Sequence, residues 1–325
     1  MIKEAKIAVV SPKSFRGDEE YKNAKMAVDY VSQAAEKGAK LVCFPEGYPG
    51  PSSGPMNSGG NLSKSPIEMM CDSAIDHNVY VACGNIEESI EVKGAYYLCH
   101  KIISPRGDIL TNYKRCQPTP PVLNAKLYNE RRHMLAGNEL SVVDTEFGKI
   151  GIIICSELYV PELTRIAMLM GANIILNPIG GSIGKYKGQP YDSKGNIIRG
   201  SKINMFRCIA QCRAAENIVY VIGSANIWFD DSPWGSYVAS PEEIIGGLDG
   251  EGIAYATLDM ERLNQLKRSW IEDDFNSPLY LGEYRPILCQ PGQNRDRRPE
   301  LYSKLLEKQS DSFNYSYYTK GGEFS

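Results

Sequence analysis

The chain is short of several things at once, and each shortage removes a class of function. It has three histidines in 325 residues, His77, His100 and His133, and none stands at an evident strand end downstream of Cys155. A papain-like cysteine–histidine pair therefore has little to build on. No run of about 18 apolar residues occurs, so no membrane-crossing helix is expected. At the start, Met1-Ile-Lys-Glu-Ala-Lys-Ile-Ala-Val-Val10, charges interrupt a short apolar run, which does not read as a signal peptide. Charge of neither sign dominates: 36 Lys and Arg face 39 Asp and Glu, a net of -3, with no basic stripe interleaved with aromatics. Nucleic acid is not an expected partner. No Pro-, Gly- or Ser-rich linker divides the sequence, so one large domain is the economical reading. Gly180-Gly-Ser-Ile-Gly-Lys-Tyr186 departs from a phosphate loop in its spacing and in the residue after the Lys. No nucleotide, flavin or metal is implied.

Cysteine is present but unorganised. Nine is an odd number, Cys43, Cys83 and Cys155 sit in strand-like runs, and the spacings form no disulfide framework. A reducing cytoplasm suits this usage. Cys208 and Cys212, four apart on an expected helix, share a face; with no second pair or His nearby they read as core rather than as zinc ligands.

The pattern alternates in the α/β manner. Strands are expected at Lys6 to Val10, Ala39 to Phe44 and Val79 to Gly84, with helices at Glu19 to Lys37 and Pro66 to His77. Two strand-like segments, Tyr96 to Ser104 and Asp108 to Tyr113, meet at Pro-Arg-Gly-Asp, a hairpin turn. The second half repeats the grammar with strands Leu140 to Asp144, Lys149 to Cys155, Asn173 to Leu176 and Ile218 to Asn226. Its helices are expected at Pro161 to Met170, Lys202 to Glu216 and Met260 to Leu266. Helix-linked strands together with hairpins argue for mixed sheets in an α/β fold.

Three segments place chemistry at strand ends. Leu41-Val-Cys-Phe-Pro-Glu46 closes with a carboxylate, Ile109-Leu-Thr-Asn-Tyr-Lys114 with an ammonium, and Lys149-Ile-Gly-Ile-Ile-Ile-Cys155 with a thiol. These are the parts of a nucleophilic hydrolase, at the sheet edge where α/β folds do chemistry. In this order they resemble the nitrilase (carbon–nitrogen hydrolase) superfamily, with its Phe-Pro-Glu, aromatic-x-Lys-x-x and Gly-(apolar)-Cys-x-(Asp/Glu) motifs. Pro161-Glu-Leu163, Gly171-Ala-Asn-Ile-Ile-Leu-Asn-Pro178, Arg213-Ala-Ala-Glu-Asn217 and the stretch from Gly235-Ser to Glu251-Gly extend the likeness over roughly residues 5 to 260.

The resemblance implies a four-layer α-β-β-α sandwich. It implies Glu46 as general base, Cys155 as nucleophile, and Lys114 with the backbone N–H of Ser156 on the developing oxyanion. A fourth residue, Glu130, opens Glu130-Arg-Arg-His-Met-Leu-Ala-Gly137, which is similar to the family's Glu-x-x-x-aromatic-x-Pro-Gly segment. Met134 and Ala136 stand where the aromatic and the Pro are usual; Glu130 would position Lys114 and orient substrate. Residues 1–265 would form the hydrolase domain and 266–325 an extension packing on it and on an oligomer partner. Within that extension Arg297-Arg-Pro-Glu-Leu-Tyr302 resembles the closing motif of amidase and carbamoylase branches, and a homodimer or higher homo-oligomer is implied.

The substrate is read locally. Nitrilases place Trp after the Cys and this chain has Ser156; carbamoylases often place Arg three and four residues after it, where this chain has Leu158 and Tyr159. The expectation is an amide as the small-molecule substrate, with a carbamoyl compound or a nitrile as alternatives. Tyr48, Tyr159 and the loop Trp228 to Trp234 are open to two readings, pocket lining or packing. From another class, an acyltransferase or a binding scaffold remains; the intact Glu46, Lys114 and Cys155 argue against the scaffold.

Overall fold

Several strand segments are apolar at successive positions rather than at alternate ones, and a strand of that kind is stable only with both faces covered. The computed structural model describes residues 2–52, 62–118, 133–181, 201–230, 232–268 and 297–307. Its strands form two sheets. The first contains β1 (Glu4–Ser11), β2 (Leu41–Cys43), β3 (Tyr80–Glu88), β4 (Ala95–Ile103), β5 (Ile109–Lys114), β6 (His133–Met134) and β13 (Gly252–Asp259). They run in the order β13-β1-β2-β3-β4-β5, with β6 also pairing β4. The second contains β7 (Val142–Thr145), β8 (Gly148–Ile152), β9 (Ile174–Ile179), β10 (Tyr220–Ala225), β11 (Gly235–Ala239) and β12 (Ile244–Asp249), in the order β12-β11-β10-β9-β8-β7. Parallel and antiparallel pairs occur in both.

Residue parity assigns the layers. Ile7, Val9, Leu41, Ile102, Ile150, Ile152, Leu176 and Ile222 meet in a central core between the sheets. Their neighbours of opposite parity, Ala8, Val10, Val42 and Phe44, pack outward with α1 (Tyr21–Glu36) and α2 (Pro66–His77). On the other side Ile153, Ile175, Val219 and Val221 pack outward with α3 (Pro161–Leu169) and α4 (Ser201–Asn217). The result is the α-β-β-α sandwich. Each fully buried aliphatic side chain contributes on the order of 1.5–3 kcal/mol. The start of α2 is fixed locally: Ser65 accepts from the Glu68 N–H, the Glu68 carboxylate accepts from the Ser65 N–H, and Pro66 supplies a preset φ. Helix α5 (Met260–Arg268) follows β13.

Some expectations are revised. The cysteine strand ends at Ile152, three residues early, because the chain turns there. Cys208 and Cys212 are exposed, not core, since the buried stripe of α4 is Ile203, Phe206, Ala210 and Ala214. Strands β11 to β13 were not anticipated. Among the described residues no helix is long and apolar enough to cross a membrane, and no cluster of His, Cys, Asp and Glu is arranged to hold a metal. Of the C-terminal extension beyond α5, residues 297–307 are described, with Leu301, Leu305 and Leu306 exposed.

Candidate active site

Both sheets supply groups to one place. From the first sheet, β2 runs out through Phe44-Pro45 to Glu46, whose carbonyl accepts 2.8 Å from Asn226 Nδ2. From the second, the chain past β8 stays paired through the Ile153 N–H to Leu176 O at 2.9 Å, then enters a short 3-10 turn, Cys155–Tyr159. Cys155 opens this turn with φ +51°, a conformation unusual for a side-chain-bearing residue. Asn177, fully buried, braces it: Nδ2 donates to Ile153 O at 2.6 Å and to Cys155 O at 3.1 Å, while Oδ1 accepts from the Tyr237 hydroxyl at 2.6 Å.

The Glu46 carboxylate and the Cys155 thiol lie within each other's influence, and the Gly180 backbone acts on both. A Cβ at position 180 would stand 2.9 Å from Glu46 Oε2, so this approach needs glycine. The Gly180 carbonyl is held in turn by Trp228 Nε1 at 2.7 Å and Asn226 Nδ2 at 3.4 Å.

The cation at this place is Arg115, and Lys114 lies elsewhere. Successive residues of a strand face opposite sides. Tyr113 faces the central core, so Lys114 is turned to the outer face, paired in register with Cys99, its Nζ 4.0 Å from the centre of the Tyr97 ring. Arg115 returns to the inner side. It is 5% exposed, with Nη1 3.2 Å from Glu46 Oε1 and Nη2 2.5 Å from Ser156 Oγ. Its Nε is buried and has no hydrogen-bond partner among the described residues. The family spacing carried a signal for this: with Tyr113 as the aromatic, aromatic-x-cation falls on position 115.

Charge and burial compete here. Burial first, then the Glu46 charge, push the Cys155 thiol up to about 12, against the pull of Arg115 and the Gly180 N–H. Burial also raises the Glu46 carboxyl, with Arg115 and Cys155 opposing it. For Arg115 burial works against the charge, and Glu46, Cys155 and Glu157 outweigh it, so its pKa rises. Cys155 therefore rests as a thiol beside Glu46, with a permanent cation at its flank.

Ser156 joins the group as the acceptor of Arg115 Nη2. Tyr159 is 42% exposed, edge-on to Phe206, with Cys155 among the groups acting on its hydroxyl. Tyr48 does not join it: its ring is buried in the outer core, stacked on Phe44 at 5.4 Å. Trp234 packs in the core of the second sheet, whereas Trp228 serves Gly180. Glu130 lies outside the described residues. Sequence reasoning missed Arg115, Asn177, Gly180 and Asn226; the last three act through contacts between distant segments, which local sequence does not signal.

Comparison with known proteins gives the family. The chain is 28% identical over 323 residues to the citrullinase of Francisella tularensis, covering 93% of this chain and 98% of that one. It is 22% identical over 255 residues to the human omega-amidase NIT2, covering 76% and 86%. Among solved structures, a carbon-nitrogen hydrolase from Helicobacter pylori G27 superposes with a TM-score of 0.70 at 20% identity, covering 94% of this chain and 99% of that one. The carbon-nitrogen hydrolase family profile matches residues 6–268, and the chain belongs to that family.

Proposed function

We propose that this protein is a cysteine-dependent amidase that releases ammonia and a carboxylic acid through a thioester, with Arg115 in the place expected of Lys114. The observation that carries the reading is the state of Arg115. It is buried beside Glu46 and Ser156 at the nucleophile turn, and one donor, Nε, is unpaired among the described residues. A buried donor without a partner is costly unless something else comes to use it.

Glu46 accepts the Cys155 proton as sulfur attacks the amide carbon. The carbonyl oxygen takes up the charge, stabilised by Arg115 Nε and the Ser156 N–H. Collapse breaks the C–N bond, Glu46 returns its proton to nitrogen, and ammonia leaves a thioester on Cys155. Water then gives up a proton to Glu46 and attacks the thioester; the acid departs and the thiol is restored. Glu130 is retained as an orienting group for the cation. The tail is retained as an oligomer contact, supported by its three exposed leucines.

An amide is favoured over a carboxylated carbamoyl compound because Leu158 is fully buried and Tyr159 carries no charge. The nearby Arg213 is committed to the carbonyls of Leu158 and Tyr159 and to Glu216. Burying a substrate carboxylate without a charged partner is expensive. A ureido substrate is the second reading, favoured by the near full-length likeness to a citrullinase. Ammonia release is measured from a simple aliphatic amide, an ω-amide acid, citrulline and a matched nitrile, with Cys155→Ala as control. The highest kcat/KM is expected for an amide. A higher value for citrulline or the nitrile would overturn the substrate class, and no ammonia from any of them would overturn the enzymatic reading.

A further inference from the structure

Glu157 is 1% exposed and has no part in the steps above. Its carboxylate accepts from the N–H groups of Ile154, Cys116 and Gln117, each at 2.8 Å. The Tyr113 hydroxyl donates to both oxygens, at 3.0 and 2.9 Å. A carboxylate has about four lone-pair positions, so this group is saturated, and donors of that number offset the cost of burying its charge.

The origin of those donors matters more than their number. Tyr113 lies near the end of β5 and Cys116 and Gln117 follow Arg115 in the segment that leaves the strand; Ile154 directly precedes Cys155. Arg115 and Cys155 arrive on different sheets, yet each is covalently next to an atom pinned to the same carboxylate. An apolar side chain of equal size would leave the Ile154 and Gln117 N–H groups unpaired and the Cys116 N–H with only the Tyr113 hydroxyl, and a Gln would turn an NH2 toward one of them.

We infer that Glu157 is a positioning residue that sets the distance between the Arg115 guanidinium and Cys155 Sγ. This rests on the reading of Cys155 as nucleophile. Its consequence is electrostatic, because the Coulomb interaction between the two groups depends on the separation that the clamp fixes. The other groups facing Cys155 are Glu46 and the Gly180 N–H, with Tyr159 on its own turn and Tyr237 from β11.

Glu157→Gln is expected to cost much of the folding stability, so Tyr113→Phe carries the test. It removes one donor and the hydroxyl that also takes the Cys116 N–H at 3.4 Å, and it leaves every charge in place. The probe is iodoacetamide, with alkylation of Cys155 read by peptide mass between about pH 8 and pH 10. The variant is expected to unfold cooperatively like the wild type while its Cys155 profile moves about one pH unit to the alkaline side, about tenfold slower at each pH. A profile that coincides with the wild type, or that moves to the acid side, would overturn the inference. Failure of the catalytic reading shows separately, as absence of ammonia release by the wild type.

Discussion

The first sheet buries one cation on each face, and the two are bonded differently. On the outer face Lys101, 4% exposed, gives its ammonium to Asn85 Oδ1 and Glu87 Oε1 at 2.6 Å and to Asn112 Oδ1 at 2.9 Å. Three donors meet three acceptors, and nothing is left over. On the inner face Arg115, 5% exposed, binds Glu46 and Ser156, and among the described residues its Nε has no partner. On the proposed mechanism the contrast separates architecture from chemistry: a saturated cation holds strands together, whereas a cation with an idle donor beside the proposed nucleophile is ready for charge that appears only during reaction.

The largest effect expected on the inner face is that of Cys155→Ala. Turnover should fall by roughly 10^4-fold or more, with ammonia release as the readout and thermal unfolding nearly unchanged. Retention of a tenth of the activity would place the chemistry on another group. On the outer face Lys101→Met should leave kcat per folded molecule within about twofold, and lower stability by roughly 1–3 kcal/mol in urea titration. That range is discounted for the solvent reaching Glu87, whose side chain is 33% exposed. Unchanged stability with collapsed turnover would reverse the roles given to the two faces.

A smaller effect sharpens the comparison through pH. Burial pushes the Glu87 carboxyl up, but the hydrogen bond and charge of Lys101 prevail and hold it at about 2 against an ordinary 4.5. A carboxylate whose folded pKa is depressed stabilises above its unfolded pKa and loses that contribution as pH falls through the folded one. The stability gap between wild type and Lys101→Met should therefore be full at neutral pH and close between about 4.5 and about 2. A gap independent of pH would mean that the lysine acts by packing alone.

How much of this was legible in the sequence depends on whether the information is local. Ile150 to Ile154, apolar at every position, announced a strand covered on both faces, and the central and outer cores bear that out. Glu46 and Cys155 were legible as charge and thiol directly after such runs. The proposed assignment moves the cation by one residue, from Lys114 to Arg115, and with a period of two a one-residue shift reverses the face. The same parity, counted from the buried Tyr113, selects Arg115. Cys208 and Cys212 share a face as expected, but only the packing of Ile203, Phe206 and Ala210 on the second sheet decides that theirs is the outer one. Gly246, Gly247, Gly250 and Gly252 break the apolar pattern over β12 and β13, so those strands carried little signal. Gly180 was noticed only as part of a glycine-rich loop, because its role is exercised by a backbone N–H.

The most direct test of the account is a paired measurement of kcat for Arg115→Met and Lys114→Met on whichever amide of the panel is turned over fastest. These neighbours in sequence face opposite ways, Lys114 exposed as the last residue of β5 and Arg115 buried just after it. Loss of an oxyanion donor typically costs about 100- to 1000-fold, so Arg115→Met should fall by that order while Lys114→Met stays within about threefold of wild type. The reverse ranking, with Lys114→Met crippled and Arg115→Met active, would contradict the assignment of the cation.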